Sequence, residues 1–512
     1  MGTLLRCDPG TISGQSVSSH LRNLSTDVIK YGVGSAALSA VSFVLLPIYT
    51  HYLTPADYGR LTLLGVSQAV IEIVAGCGIT SGLFRYYLMA KTPAQRQVLL
   101  STSIWLQLAI VATLSGVLLL LAGSFSAALL GTGQMRFAWQ LVSITALVNT
   151  ASSLSLALLR AERRAWQFAA LQLGGAAVSS AVGIVLLAGL HRGFMGVAYG
   201  NLAGSAVMAC FLVPMLVGRG TFAFSWPLAK KLALFCAPIL MVNLSNLVLS
   251  FGDRVFLTHF VSVHEVGVYS VGAKLAGGIK ALLIGPFSVA FAPYVLSVAS
   301  TGQFKAVISR GIKYFCLCVT LISLVIALFS REVVLFAAGP PYSGAHRVVG
   351  LLLTAEILKG LTYNISVVFD VVEKTYFYSL VIVAGGLVNL LGNFYLIPVL
   401  GMAGAALAGC LAALVMTSIT YALSQRCIRI DYQLRTFAVI MALACVCVVA
   451  SAAIGSIFTG LATAVAAKSA LIVGVCAAAI RLGILDQREL DFLSGLPGRL
   501  RATAKSFAAT GV

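Results

Sequence analysis

Charge is what this sequence has least of. Only 10% of its 512 residues are Asp, Glu, Lys or Arg, and just 15 are acidic, whereas a soluble domain carries roughly 25% charged residues. Long polar connections are missing too. Between apolar runs they reach about fifteen residues, the upper range of ordinary loops. That leaves no room for a soluble catalytic domain and argues against a polymerase or ligase with a large external loop. There is no Gly-x-x-x-x-Gly-Lys-Ser/Thr loop and no His-Glu-x-x-His pair, so neither nucleotide hydrolysis nor zinc hydrolase chemistry is indicated. The 11 cysteines are scattered, and the close pairs Cys316/Cys318 and Cys445/Cys447 sit in apolar runs without histidines nearby. Neither a metal site nor a disulfide framework is expected, and no cofactor. Residues 1–29 lack an apolar core, so no cleavable signal peptide is expected and the first apolar run must target the chain.

What is abundant is hydrophobic: 59% of the residues, with a mean hydropathy of +0.99. Apolar runs of about 20 residues, each enough to cross a ~30 Å hydrocarbon core as helix, fall at 31–52, 61–82, 98–122, 137–159, 169–189 and 194–217. They continue at 232–258, 267–296, 312–330, 348–371, 378–397 and 402–424, with a last pair at 437–457 and 462–481. The predicted fold class is all-α: a polytopic membrane protein of about 14 transmembrane helices.

The helices fall into two sets. Thr50-His51-Tyr52-Leu53-Thr54-Pro55-Ala56-Asp57-Tyr58-Gly59 returns 208 positions later as Thr258-His259-Phe260-Val261-Ser262-Val263-His264-Glu265-Val266-Gly267. Gly193, Gly196 and Ala198 match Gly401, Gly404 and Ala406 at the same offset. Between these anchors the register drifts to 211, where Glu162-Arg163, Trp166 and Gly174-Gly175 face Glu373-Lys374, Phe377 and Gly385-Gly386. Two matches in one register imply a duplicated unit. One six-helix lobe spans 30–217 and a second 232–424, parallel because six is even. An extra helix pair follows at 437–481, and the ends are an amphipathic segment at 1–29 and a basic tail at 482–512.

Orientation follows from where the cations fall. One side of the predicted topology holds only Arg60, Arg136, Arg192, Arg331 and Arg347, while the other loop Lys and Arg residues gather on the opposite side together with both termini. The positive-inside bias makes that opposite side cytoplasmic. The net charge of +19 is then a topology signal and requires no nucleic-acid partner. Val17, Leu21, Leu24 and Val28 share one helical face, as expected of a helix lying on the membrane surface.

Polar residues inside the apolar runs are where function is expected. On the seventh helix Asn243, Asn246, Ser250 and Asp253 recur at i, i+3, i+7 and i+10, with Arg254 beside them. This stripe faces a cavity or, alternatively, closes on itself as a local ion pair. The second helix carries Gln68 and Glu72, and the repeat sets Glu72 opposite Lys280 of the eighth, which also holds Lys274. Glu356 and Lys359 lie three apart and either pair with each other or line the cavity. Lys468, near an outer helix end, is expected to snorkel.

YLTPADYGR at 52–60, DRVFL at 253–257 and NLLGNFYLIPVLGMAGAALA at 389–408 resemble the polysaccharide-transporter branch of the multidrug, oligosaccharidyl-lipid and polysaccharide exporter superfamily. The resemblance implies a non-enzymatic, fourteen-helix flippase of a bacterial inner membrane. It would move isoprenoid-diphosphate-linked oligosaccharide outward by alternating access of two lobes, for O-antigen, capsule or exopolysaccharide synthesis. The implied partners are undecaprenyl-diphosphate-type lipid-linked oligosaccharide, membrane lipids and other glycan-assembly proteins. Related peptidoglycan-precursor flippases carry arginines in helices 1, 2 and 8, whereas this chain has no Lys or Arg from Tyr31 to Tyr58 and places Glu72 in helix 2. Only the location therefore carries over, a central cavity lined by helices 1, 2, 7 and 8. There Arg254, Lys274, Lys280 and Lys359 would meet phosphate, Asn243, Asn246 and Ser250 sugar, and Glu72, Asp253 and Glu356 a coupling ion. The rival is a proton- or sodium-coupled multidrug antiporter of the same superfamily.

The topology yields a direct test in a cysteine-free background. Ala56→Cys, Met135→Cys, His191→Cys, Gly344→Cys and Gly460→Cys should each react with an impermeant thiol reagent on intact cells, while cysteines at either terminus stay silent. The reverse labelling pattern inverts the assignment.

Overall fold

The computed structural model describes residues 40–120, 135–219, 223–299, 303–433 and 461–481, with 123, 438, 439, 441 and 442 besides. The segment expected at 1–29, the first residues of the first helix, most of the helix at 437–457 and the tail at 482–512 lie outside the described residues.

The described residues contain no strand. In chain order the helices are α1 (Ala40–Tyr52), α2 (Pro55–Gly76), α3 (Ile79–Met89), α4 (Pro93–Leu120), α5 (Arg136–Ala161), α6 (Ala165–Ile184) with a π turn Val185–Gly189, and α7 (Phe194–Val217). Then come α8 (Trp226–Leu247), a π turn Val248–Gly252, α9 (Asp253–Phe260), α10 (Val263–Ile279), a π turn Lys280–Ile284 and α11 (Gly285–Ser297). The last are α12 (Phe304–Leu328), α13 (Ser330–Ala338), a 3-10 turn Pro340–Ala345, α14 (His346–Val371), α15 (Tyr376–Leu400), α16 (Met402–Cys427) and α17 (Leu461–Arg481). Among the described residues eleven segments are long and apolar enough to cross a membrane, with α1 and the core of α17 shorter. Bulky apolar side chains stand outward, Phe336 at 94% exposure, Trp166 at 79% and Val399 at 78%, a surface suited to lipid as its solvent.

Local chemistry sets the helix ends. Hydropathy alone starts the second helix at 61, but α2 begins at Pro55 because Thr54 caps it, its hydroxyl oxygen accepting the Asp57 N–H at 3.2 Å. Proline at the first position and an acid in the first turn complete a start signal that hydropathy ignores. At the matching position Ser262 accepts the Glu265 N–H at 3.2 Å and opens α10. The expected single helix at 61–82 is broken at Cys77–Gly78, both left-handed, with φ of 43° and 72°.

Other features recur at fixed offsets. Gly193 and Gly401, with φ of 57° and 55°, cap α7 and α16. In the turn between α5 and α6, however, positive φ falls on Arg163 and its counterpart is Glu373. The bonds Arg164 N–H to Leu159 O and Lys374 N–H to Phe369 O repeat this spacing. Gly175 packs on Met208 as Gly385 packs on Met416. The local register is therefore 210 rather than 211, because the backbone geometry follows the turn and not the Glu-Arg/Glu-Lys letters.

By contacts the chain forms two units. The first comprises the described residues up to Ile308 together with Ser330–Ile430. Within it small residues let helices approach closely: Gly200 and Gly204 of α7 lie on the backbone of Gly183 and Ser179 and of Gly175 in α6, the small-residue packing used between membrane helices. The second comprises Ser309–Phe329 with residues from Asp431. There Leu321, Leu324 and Leu328 pack on Leu471, Ile472 and Val475. Lys468 does not snorkel. It is 4% exposed, and its ammonium lies 5.6 Å from the centre of the Phe329 ring, within cation–π range.

The tightest crossing in the first unit is between α2 and α10. A Cβ on Gly267 would overlap the Pro55 carbonyl and lie 3.0 Å from the Gly59 nitrogen; one on Gly59 would overlap the Val263 carbonyl. Gly59→Ala and Gly267→Ala should each destabilise the purified protein by about 1–3 kcal/mol through overpacking, read as a lower melting temperature. Gly174→Ala, with nothing within 4 Å of its Cβ, should not.

Candidate functional site

A cavity of about 380 Å³ opens among α1, α2, α5, α6 and α7. Its polar wall consists of Ser42, Tyr49, Tyr58, Thr62, Gln68, Thr145, Ser179, Ser180 and Asn201. Thr62 and Thr145 donate their hydroxyl protons back to the carbonyls of Tyr58 and Leu141, each at 2.9 Å, so toward the cavity they offer acceptors. Ser179 donates to Asn201 Oδ1 at 2.7 Å, which leaves the Asn201 amide N–H groups for a ligand. Ser42, Ser180, Tyr49 and Tyr58 have no side-chain hydrogen-bond partner among the described residues.

One lining residue comes from elsewhere. Lys274, on α10, lines the same cavity, brought there by the α2–α10 crossing. Among the described residues it has no acidic partner, and no carboxylate lines the cavity. Gln68 donates to Glu72 Oε1 at 3.0 Å and Asn149 donates to the same oxygen at 2.8 Å. Glu72 is thus held by amides, behind the wall.

Asp253 and Arg254 form a closed local pair. Asp253 Oδ1 accepts from the Arg254 backbone N–H at 2.9 Å and from Nη1 at 2.8 Å, and the Tyr269 hydroxyl donates to Oδ2. Arg254 Nη1 also donates to the Ser250 carbonyl at 2.6 Å, within the π turn, a wide turn common at functional positions. The guanidinium lies over the Phe251 and Tyr269 rings, at 5.2 and 5.6 Å from their centres. Arg254 is 8% exposed and its Nε is buried without a partner.

The remaining predicted residues lie apart from the cavity wall. Glu356 and Lys359 pair with each other, the i, i+3 alternative. Lys280 is exposed at the head of a π turn, with no partner among the described residues and not beside Glu72. Asn243 is half-buried, and Asn246 and Ser250 are exposed on α8 and its π turn. The wall residues Tyr49, Thr62, Thr145, Ser179, Ser180 and Asn201 went unread because each is an isolated small or aromatic polar group in an apolar run. Asn201 alone, an amide in such a run, was a usable signal.

The first set of helices, α1–α7, meets the second at both ends of the seam. At the end bearing Thr54, Tyr342 donates to the Leu53 carbonyl at 2.9 Å and Thr50 to the Ala337 carbonyl at 3.1 Å. Leu46, Leu53, Tyr58, Val268, Val271 and Tyr342 share one buried cluster there. At the basic end, α8 packs at the α2/α3 break. Cys236 Sγ donates to the Gly78 carbonyl at 3.3 Å, and a Cβ on Gly82 would lie 3.0 Å from that sulfur. Arg85 lies 4.8 Å over the Phe235 ring and Lys231 4.9 Å over Tyr86, with the two rings edge to face at 5.6 Å.

The Asp253–Arg254 geometry sets a stability expectation. Arg254→Ala strands a buried carboxylate and Asp253→Ala a buried guanidinium, so each should lower the folded fraction by about 3–5 kcal/mol. Tyr269→Phe removes one bond to a charged group and should cost about 1.5–3 kcal/mol. Denaturation of the purified variants measures all three.

Several solved structures are similar to this chain, three of them as follows. The lipid II flippase MurJ in an inward closed conformation aligns with a TM-score of 0.70 and 13% identity, covering 89% of this chain and 100% of its own. An inward-facing multidrug resistance MATE family transporter of the MOP superfamily aligns at 0.64 and 15%, covering 77% and 95%. A Vibrio cholerae MATE transporter aligns at 0.58 and 16%, covering 81% and 98%. At these identities the likeness is one of fold. No curated protein matches the sequence. Residues 48–346, more than half of the chain, match the family described as "Polysaccharide biosynthesis protein": the chain belongs to that family, and its fold is similar to that of the three structures above.

Proposed function

We propose that the protein is a flippase that moves isoprenoid-diphosphate-linked oligosaccharide across the bacterial inner membrane for surface polysaccharide synthesis. The observation that carries this reading is the Lys274 ammonium, unpaired among the described residues, in a cavity whose other polar lining groups are hydroxyls and amides. Family membership and the likeness to a lipid II flippase support it. A diphosphate bears about two negative charges and sugars bear many hydroxyls, and neither crosses hydrocarbon cheaply. A polar cavity replaces the water around them while the polyprenyl tail stays in lipid. Moving each negative charge outward, down an inside-negative potential, gains about 2.3 kcal/mol per 100 mV, so ATP is not required. The antiporter reading fits less well, because a cationic drug in this cavity would meet Lys274 and no carboxylate among the lining residues.

Transport by alternating access requires the two ends of the seam to open in turn. On this reading the basic, cytoplasmic end is closed by Arg85, Tyr86, Lys231 and Phe235, over the packing of Gly82 on Cys236. In a background retaining Cys236 alone, Gly82→Cys places its Cβ within bridging reach of that sulfur. Oxidation with copper phenanthroline should form the bridge and stop glycan export, and reductant should restore it. Continued export with the bridge complete would sink the alternating-access reading. A null strain should accumulate lipid-linked glycan on the cytoplasmic face. Drug sensitivity with intact surface glycan would instead identify an antiporter.

A further inference from the structure

We propose that the turn joining α5 to α6 is a binding site for the headgroup of an anionic phospholipid, with Arg160 and Arg163 as its charges and Trp166 as its anchor. The equivalent turn of the second set, between α14 and α15, lacks that site. The proposal goes beyond the flippase reading and does not depend on what the cavity carries.

Three observations lead there. The first is that the two turns share a backbone and differ in charge. At the local offset of 210, Arg160 and Arg163 correspond to Asp370 and Glu373, and all four residues are exposed. On the predicted topology both turns lie on the cytoplasmic side. The positive-inside bias favours cations equally at each, so it does not account for the reversal. The acid of the first turn leaves these two arginines free, because Glu162 is engaged by Arg164 at 3.1 Å and by Arg219 at 2.6 Å. Arg163 has no side-chain partner among the described residues. The Arg160 guanidinium lies 5.7 Å from the centre of the Phe168 ring, a stacking that leaves its N–H groups for an acceptor.

The second is backbone strain. Arg163 and Glu373 adopt φ of 58° and 56°, the left-handed region that suits glycine. Glycine would make either turn without strain, so a charged side chain held there against its own backbone preference points to a role for the charge. The third is the anchor. Trp166 is 79% exposed in the first turn of α6, which sets an indole beside the arginines at the end of a segment able to span the membrane. Indoles settle at headgroup level, and a guanidinium binds phosphate in bidentate fashion. A lipid phosphate meets both groups, whereas an acidic protein would use the arginines alone. The second turn offers Tyr376 at 57% exposure, but carboxylates stand where the first turn has its guanidinium groups.

The test uses the full chain with Trp105, Trp139 and Trp226 replaced by Phe, so that Trp166 alone fluoresces as indole. It is reconstituted in phosphatidylcholine vesicles that hold an equal mole fraction of brominated phosphatidylglycerol or brominated phosphatidylcholine. The relative affinity read from quenching should favour phosphatidylglycerol about tenfold or more, and Arg160→Gln and Arg163→Gln should each lower it about fivefold, as for one basic residue near an anionic surface. Arg163→Gly should raise the melting temperature yet lose the same preference, a combination that a merely structural arginine does not produce. With the indole moved to the second turn by Trp166→Phe and Tyr376→Trp, no preference should appear, and Asp370→Arg with Glu373→Arg should create one. Equal quenching of Trp166 by the two lipids would overturn the proposal and leave the arginines to an acidic protein. A preference that survives Arg160→Gln with Arg163→Gln, or one equally strong at both turns, would overturn it as general surface attraction. If the tryptophan-replaced chain does not fold, the phosphatidylglycerol that copurifies with the otherwise unaltered chain decides. The double arginine variant should retain less, and equal retention overturns the site.

Discussion

The close crossing of α2 and α10 is the contact on which the rest of the site depends. Two glycines 208 positions apart each remove the one atom that would overlap the other helix's backbone. Both helices begin with the same capping geometry a few residues earlier, so their first turns are fixed before they meet. Given that crossing, Lys274, two turns beyond Gly267, is carried to a cavity whose other walls belong to α1, α2, α5, α6 and α7. The apolar cluster of Leu46, Leu53, Val268 and Tyr342 holds that end shut by burial, which is non-directional. The opposite end is held by Leu232, buried in one cluster with Ile79 and Leu83, together with cations over rings and a glycine–cysteine contact.

Arg254 and Lys274 show how environment separates two cations that look alike in a sequence. Arg254 is enclosed by Asp253, Tyr269, Phe251 and the Ser250 carbonyl; its charge is matched where it stands. Freeing it for a ligand would strand Asp253, at a cost of several kcal/mol. Lys274 has no such partner among the described residues, and a ligand can engage it without breaking anything. The guanidinium is the better phosphate fork in isolation, but availability decides, and availability favours the ammonium.

Much of the architecture was legible because its signals are long. Apolar runs give helix positions, and the 208-residue offset anticipates paired caps and paired glycines. What failed was short-range. Hydropathy missed the start of α2 because Asp57 and Arg60 dilute it, although Thr54-Pro55 marks it. The left-handed pair Cys77–Gly78 hides inside an apolar run. The stripe Asn243, Asn246, Ser250, Asp253 assumes an unbroken 3.6-residue period, and the π turn at Val248–Gly252 interrupts that period before Asp253. In the site, Lys274 was readable as an intramembrane charge. Its wall was not, because serines and threonines that bond their own helix carry no sequence mark distinguishing them from serines that face a cavity.

On the proposed reading, a single unmatched cation in the cavity has an electrical consequence. The ion pairs Asp253–Arg254 and Glu356–Lys359 add no net charge to whatever moves with them, so the lining charge is that of Lys274. A headgroup of charge about −2 bound to it gives a loaded cavity of about −1, and the empty cavity is +1. An inside-negative potential then drives the loaded step outward and the empty step inward, each by about 2.3 kcal/mol per 100 mV for one charge carried across the full field. The work done on the lysine cancels over the cycle, so the cation supplies no energy. It divides the field's work between the two steps. Without it the empty return is undriven. With two such cations the loaded step becomes neutral and loses its drive. Counted on the cavity lining alone, one lysine is the arrangement in which the field drives both steps.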